Sequence, residues 1–114
     1  MSLQIEDVFK EMMSAGADVF ADNWGDVSTY AESEFRKMAQ QIVDIADNVA
    51  LNKKDSNKGY NEEAAKILMN MQRLATANVL VAMSAMTLVT AKQAINAMLA
   101  TVNKALGGAI SAIL

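Results

Sequence analysis

Apolar positions recur at helical spacing along nearly the whole chain. Ile5, Phe9, Met12, Gly16 and Val19 step by four and three, and Val8, Met13 and Phe20 widen the stripe. This pattern predicts a first helix over residues 3–21, with Ser2 as N-cap and Glu6 and Asp7 near the positive end of its dipole. Gly16 lies inside that helix, where glycine costs up to about 1 kcal/mol. Its expected use is the close approach of a neighbouring backbone. Residues Ala21 to Asp26 read as a turn around Asn23 and Gly25.

A second stripe, Ala31, Phe35, Met38, Ile42, Ile45 and Val49, predicts a helix over 28–51. Thr29 and Glu32 have the spacing of a capping box at its start. Its opposite face carries Glu34, Lys37, Gln40, Gln41, Asp44 and Asn48. Asn52 to Tyr60 collects charges and turn formers, with Gly59 near its end, and reads as a solvated hairpin loop.

The pattern then changes period. Ile67, Leu74, Val81, Leu88, Ile95 and Val102 fall seven apart, with Met71, Asn78, Ala85, Lys92, Leu99 and Leu106 in the companion register. Asn61 is placed to cap this segment, and Glu62 and Glu63 fill its first turn. Glycine and proline are absent from residue 60 to residue 106, so one helix over 62–106 is expected. Unbroken, it would span about 68 Å at 1.5 Å per residue. Val79, Leu80, Met83, Met86 and Val89 lie off the seam, and alanines recur at Ala82, Ala85, Ala91, Ala94, Ala97 and Ala100. Such a helix is apolar nearly all round and must be buried nearly all round. An apolar tail, residues 107–114, is expected to dock onto something rather than hang free.

These elements make a single all-α domain over 1–114: an elongated helical hairpin or three-helix bundle with one very long C-terminal helix, about 62–106, and no sheet. A compact globule of this size is only about 35 Å across. The long helix would outrun its own cover and leave apolar surface to a partner.

Composition narrows the chemistry. The chain has no histidine and no cysteine, which removes the commonest general base, the usual catalytic triads and thiolate metal sites. An enzyme is not expected, nor a cofactor or catalytic site. Asp22 and Asp26 have the spacing of two calcium-loop ligands, but Trp24 and Ser33 stand where further ligands belong, so no metal is expected. Trp24 reads as a packing anchor. Asp44 and Asp47 are helical neighbours on a polar face and read as solvated. Lys53, Lys54 and Lys58 read as loop charges rather than an anion site.

Net charge is unevenly spread. Residues 1–52 carry ten acids and three bases, a net −7, and residues 53–114 carry three acids and seven bases, a net +4. The halves can attract each other within or between chains. From Leu74 onward the only cations are Lys92 and Lys104, too sparse for nucleic acid. The first twelve residues have no basic or apolar run of a secretory signal, so a cytoplasmic protein, or one exported by a signal-independent route, is expected.

The expected function is structural: a self-assembling helical subunit, partnered by copies of itself in a ring, tube or filament. The assembly interface is expected along Ile67, Leu74, Asn78, Val81, Ala85, Leu88, Lys92, Ile95, Leu99, Val102, Leu106, Ile110 and Leu114. Asn78 and Lys92 would fix its register. In architecture alone, such a hairpin is similar to subunits of secretion-apparatus, phage or filament assemblies. Two alternatives stand beside it. Leu74 to Ala91 is 18 uncharged residues, so residues 74–114 could contact a membrane in a holin-like or pore-like protein. The stretch holds several threonines and Asn78 and has no aromatic belt, which argues against a span. The other alternative is a small adaptor or inhibitor bundle that holds a partner's helix. Met69, Met71, Met83, Met86 and Met98 suit either an adaptable contact surface or a core.

Overall fold

The first two apolar stripes set the front half of the molecule. A computed structural model describes residues 3–114. Helix α1 runs Ile5–Phe20 and buries Val8, Met12, Ala15, Gly16 and Phe20. Gln4 stands at its N-cap position without a side-chain bond, and the expected cap, Ser2, lies outside the described residues. One 3-10 turn, Ala21–Asn23, reverses the chain, with Ala21 in the left-handed region at φ 48°.

Helix α2 runs Trp24–Lys54, so it starts five residues before the expected Thr29 cap. Thr29 and Glu32 are exposed positions inside the helix. The reason is burial. Val27 continues the Ala31–Phe35 stripe one turn upstream and is fully enclosed, and Trp24 packs on the core. Burying such side chains is worth roughly 1.5–3 kcal/mol each, more than the ~1 kcal/mol of a capping hydroxyl. The rings of Phe20, Trp24 and Phe35 form a triad with centroids 6.1–6.3 Å apart. Gly16 sits under it. A Cβ there would lie 2.9 Å from the Trp24 ring and 3.0 Å from the Phe35 ring, so its close neighbours are rings and not the expected backbone.

The loop after α2 folds back on the helix that precedes it. Asn52 Nδ2 donates to the Lys58 carbonyl at 2.8 Å, and the Tyr60 N–H donates to the Asn48 carbonyl at 3.1 Å. Gly59 has φ +65°, and a Cβ there would meet the Asn48 carbonyl oxygen at 2.0 Å. Asn61 Oδ1 then accepts from the Ala64 N–H at 2.8 Å and caps helix α3, Glu62–Met83.

The expected helix over 62–106 is divided. It stops at Met83, and helix α4 runs Leu88–Ala105. Ser84 is extended, at φ −139° and ψ 175°. Its hydroxyl donates to the Leu80 carbonyl at 2.6 Å and accepts from the Met86 N–H at 3.3 Å. Thr87 is the N-cap of α4, its hydroxyl accepting from the Thr90 N–H at 3.2 Å. Two hydroxyls thus take over backbone partners at a corner that holds neither glycine nor proline. The gain is burial: the fold-back encloses Ala91, Ile95, Met98, Leu99 and Val102.

The result is a four-helix bundle in up-down-up-down order, in place of a three-helix arrangement with one long rod. α1 packs on α2 and α4, and α3 packs on α2 and α4. The principal extents are 45 × 22 × 19 Å, and the long one matches the ~46 Å of a 31-residue α2 at 1.5 Å per residue. There is no strand among the described residues. Gly107 and Gly108, both at positive φ, turn the tail back, and Asn103 Oδ1 accepts from the Ile110 N–H at 3.0 Å. Ile110 and Ile113 are buried, and the 3-10 turn Ser111–Ile113 lies on α3. The tail closes the end of the bundle beside Leu3 and Val49.

Candidate assembly face and the groove beside it

Helix α3 has two apolar sides. Met69 lies about 200° round the helix from Ile67 at 100° per residue. The inner side, Ala65, Met69, Ala77 and Leu80, is buried with Thr76. On the outer side Ile67, Met71 and Leu74 remain 57%, 63% and 45% exposed. Asn78 continues that side and is exposed. A second apolar group stands around the α3–α4 corner, where Met83, Leu88 and Val89 are 49%, 40% and 65% exposed.

The thirteen residues expected to form one interface are therefore divided. Ile67, Leu74, Asn78, Ala85, Leu88 and Lys92 are on the surface. Ile95, Leu99, Val102 and Ile110 are buried in the chain's own core, and Val81, Leu106 and Leu114 are partly buried against it. The corner at Ser84–Thr87 is the cause. A helix that turns back cannot present one continuous seam, so the seven-residue repeat faces out along α3 as far as Asn78 and again at Leu88 and Lys92, and turns into the core from Ile95 onward. Of the five methionines, Met69, Met86 and Met98 are core, and only Met71 and Met83 are on the surface.

A groove between α3 and α4 borders the outer stripe. It has a volume of about 290 Å³ and is lined by Asn70, Arg73, Leu74, Lys92 and Asn96. Arg73 Nη1 donates to Asn96 Oδ1 at 3.0 Å, while Arg73 Nε is enclosed and has no partner. Burial pulls the Arg73 guanidinium below its ordinary pKa. The ion pairs among the described residues are Arg36–Glu6, Lys37–Glu34, Lys53–Glu62 and Lys58–Asp55, and none reaches this groove. Leu74 and Lys92 belonged to the expected interface, whereas Asn70, Arg73 and Asn96 formed no part of it. One signal was present in the chain: no acidic residue follows Glu63, so Arg73, Lys92 and Lys104 have no acidic partner within one helical turn.

The other candidates resolve locally. Arg36 pairs with Glu6 and lies over the Phe9 ring at 4.2 Å, which ties α1 to α2. Two loop lysines are held by carboxylates: Lys53 lies 3.5 Å from Glu62, and Lys58 lies 3.9 Å from Asp55. Asp44 and Asp47 are both exposed. No group of three or more acidic, histidine or cysteine side chains among the described residues could hold a metal ion. No helix among them is long and apolar enough to cross a membrane, and the Leu74–Ala91 stretch is interrupted by the Ser84–Thr87 corner.

Comparison with family models, curated proteins and solved structures finds no match to this chain.

Proposed function

We propose that this chain is a non-enzymatic structural subunit that assembles with copies of itself through the outer face of α3. The observation that carries the reading is the stripe Ile67–Met71–Leu74, three large apolar side chains about half exposed on a face turned from their own core. A fully buried side chain of this size is worth roughly 1.5–3 kcal/mol, so each half-exposed one leaves about 1 kcal/mol to be gained. Three per copy in a symmetric pair give about 6 kcal/mol, and adding Met83, Leu88 and Val89 gives about 12. Association costs roughly 4–15 kcal/mol in lost freedom and ordering. The stripe alone supports weak pairing, and both groups together support a concentration-dependent assembly. A ring, tube or filament follows if the two groups meet different surfaces of successive copies.

Sedimentation velocity over a wide concentration range tests this. The wild-type mass is expected to rise above 12.3 kDa with concentration, while Met71→Lys stays at the monomer mass. A wild-type chain that remains a 12.3 kDa species at the highest concentration reached overturns the proposal.

A further inference from the structure

We infer that the groove between α3 and α4 is a binding site for a carboxylate group. Three observations converge there. Arg73 and Lys92 bring two cations to one groove, with Asn70 and Asn96 beside them. No carboxylate of the described residues pairs with either cation. The guanidinium is partly enclosed, so its charge is less well solvated than a surface arginine's.

The donor geometry selects the ligand class. Nε is shut off from the groove and one proton of Nη1 goes to Asn96 Oδ1. Three protons are left, one on Nη1 and two on Nη2, enough for paired donation to the two oxygens of a carboxylate. Because Asn96 Oδ1 is turned to Arg73, its amide N–H groups are free to donate. Lys92 adds a second positive charge without a fixed direction. The groove, about 290 Å³, has room for an acidic side chain or a small dicarboxylate. Leu74 joins it to the outer stripe of α3, so a neighbouring copy seated there could supply the carboxylate from its acidic N-terminal half.

The test is a titration of the full chain with succinate, followed by NMR of the Asn70 and Asn96 side-chain amides and the Arg73 Nε–H, with chloride at equal ionic strength as control. Succinate is expected to give saturable shifts at all three. Arg73→Gln is expected to weaken binding about tenfold or more, as loss of a charge-assisted pair implies, and Lys37→Gln, on the remote α2 surface, to leave it unchanged. Asn96→Asp supplies a carboxylate from within. It is expected to raise the midpoint of thermal unfolding and to block succinate, a result that a destabilised fold cannot imitate. Sedimentation with and without succinate separates the two sources. A fall in assembled mass identifies the neighbour's acidic side chain as the occupant, and unchanged mass with binding identifies a free carboxylate. Shifts equal to those in chloride, binding that survives Arg73→Gln, or tighter binding of inorganic phosphate overturns the inference. The NMR shifts and the thermal midpoint do not require copies to associate, so the site and the assembly can fail separately.

Discussion

Replacing Gly16 with alanine sets two opposing effects against each other on one residue. Helix propensity alone makes the change stabilising by up to about 1 kcal/mol, because Gly16 lies inside α1. The surroundings oppose it. The new methyl carbon would lie 2.9 Å from the six-membered ring of Trp24 and 3.0 Å from Phe35, a fully buried ring. Ordinary contact needs several tenths of an ångström more on both sides, and the rings also press on Phe20. Overpacking of this kind costs about 1–3 kcal/mol, so the net expectation is a loss of about 1 kcal/mol. In urea that moves the unfolding midpoint down by roughly 0.5 M, read by circular dichroism at 222 nm. A second variant locates the cause. Trp24→Phe removes the ring edge nearest the methyl, so Gly16→Ala made in that background is expected to be neutral or stabilising, a coupling of about 1 kcal/mol. An increase in stability for Gly16→Ala in the wild-type background, or the absence of coupling to Trp24, refutes the reasoning.

Three further outcomes are expected. Gly59→Ala combines φ +65° with a contact of 2.0 Å to a backbone oxygen and should cost about 2 kcal/mol or more in urea unfolding. Ser84→Ala and Thr87→Ala each remove a hydroxyl that caps the α3–α4 corner and should each cost about 1 kcal/mol, with the loss seen in the thermal midpoint. Ile67→Gln and Leu74→Gln should change monomer stability by less than about 0.5 kcal/mol. By contrast, Ile95→Gln and Leu99→Gln, from the same seven-residue registers but buried, should cost several kcal/mol. Equal losses for the two pairs would show that the outer stripe belongs to the core.

The parts of the fold that were legible from the sequence are those where one stripe meets one core. The four-and-three spacing from Ile5 to Val19 and from Ala31 to Val49 yielded α1 and most of α2. Asn61 was readable as a cap because its side chain acts on the next turn alone. The tail was expected to dock, but Ile110 and Leu114 were assigned to a partner, and Ile110 is instead buried in its own chain's core. What escaped was the corner at Ser84–Thr87. Serine and threonine are common inside helices, and only the three-dimensional reward, the enclosure of Ile95, Met98, Leu99 and Val102, makes their local bonding preferable to continued helix. The start of α2 escaped for a similar reason, because the motif at Thr29 is local and the burial of Trp24 and Val27 is not. The seven-residue repeat in turn concealed a division of labour: Ile67, Leu74, Leu88 and Lys92 face outward, and Ile95, Leu99 and Val102 face the core. Arg73 and Asn96 were invisible as a pair because they stand 23 residues apart, on helices that the repeat joined into one.

Among the described residues, the methionines differ sharply in their access to solvent. Met12, Met38, Met69 and Met98 are sealed in the bundle, whereas Met71 and Met83 offer their thioethers to solvent on and near the outer stripe. Peroxide meets the second pair first, and sulfoxide formation there turns soft apolar contacts into polar ones without disturbing the interior. If this face carries the proposed assembly, mild oxidation should weaken it while the bundle keeps its shape, and reductase treatment should restore it.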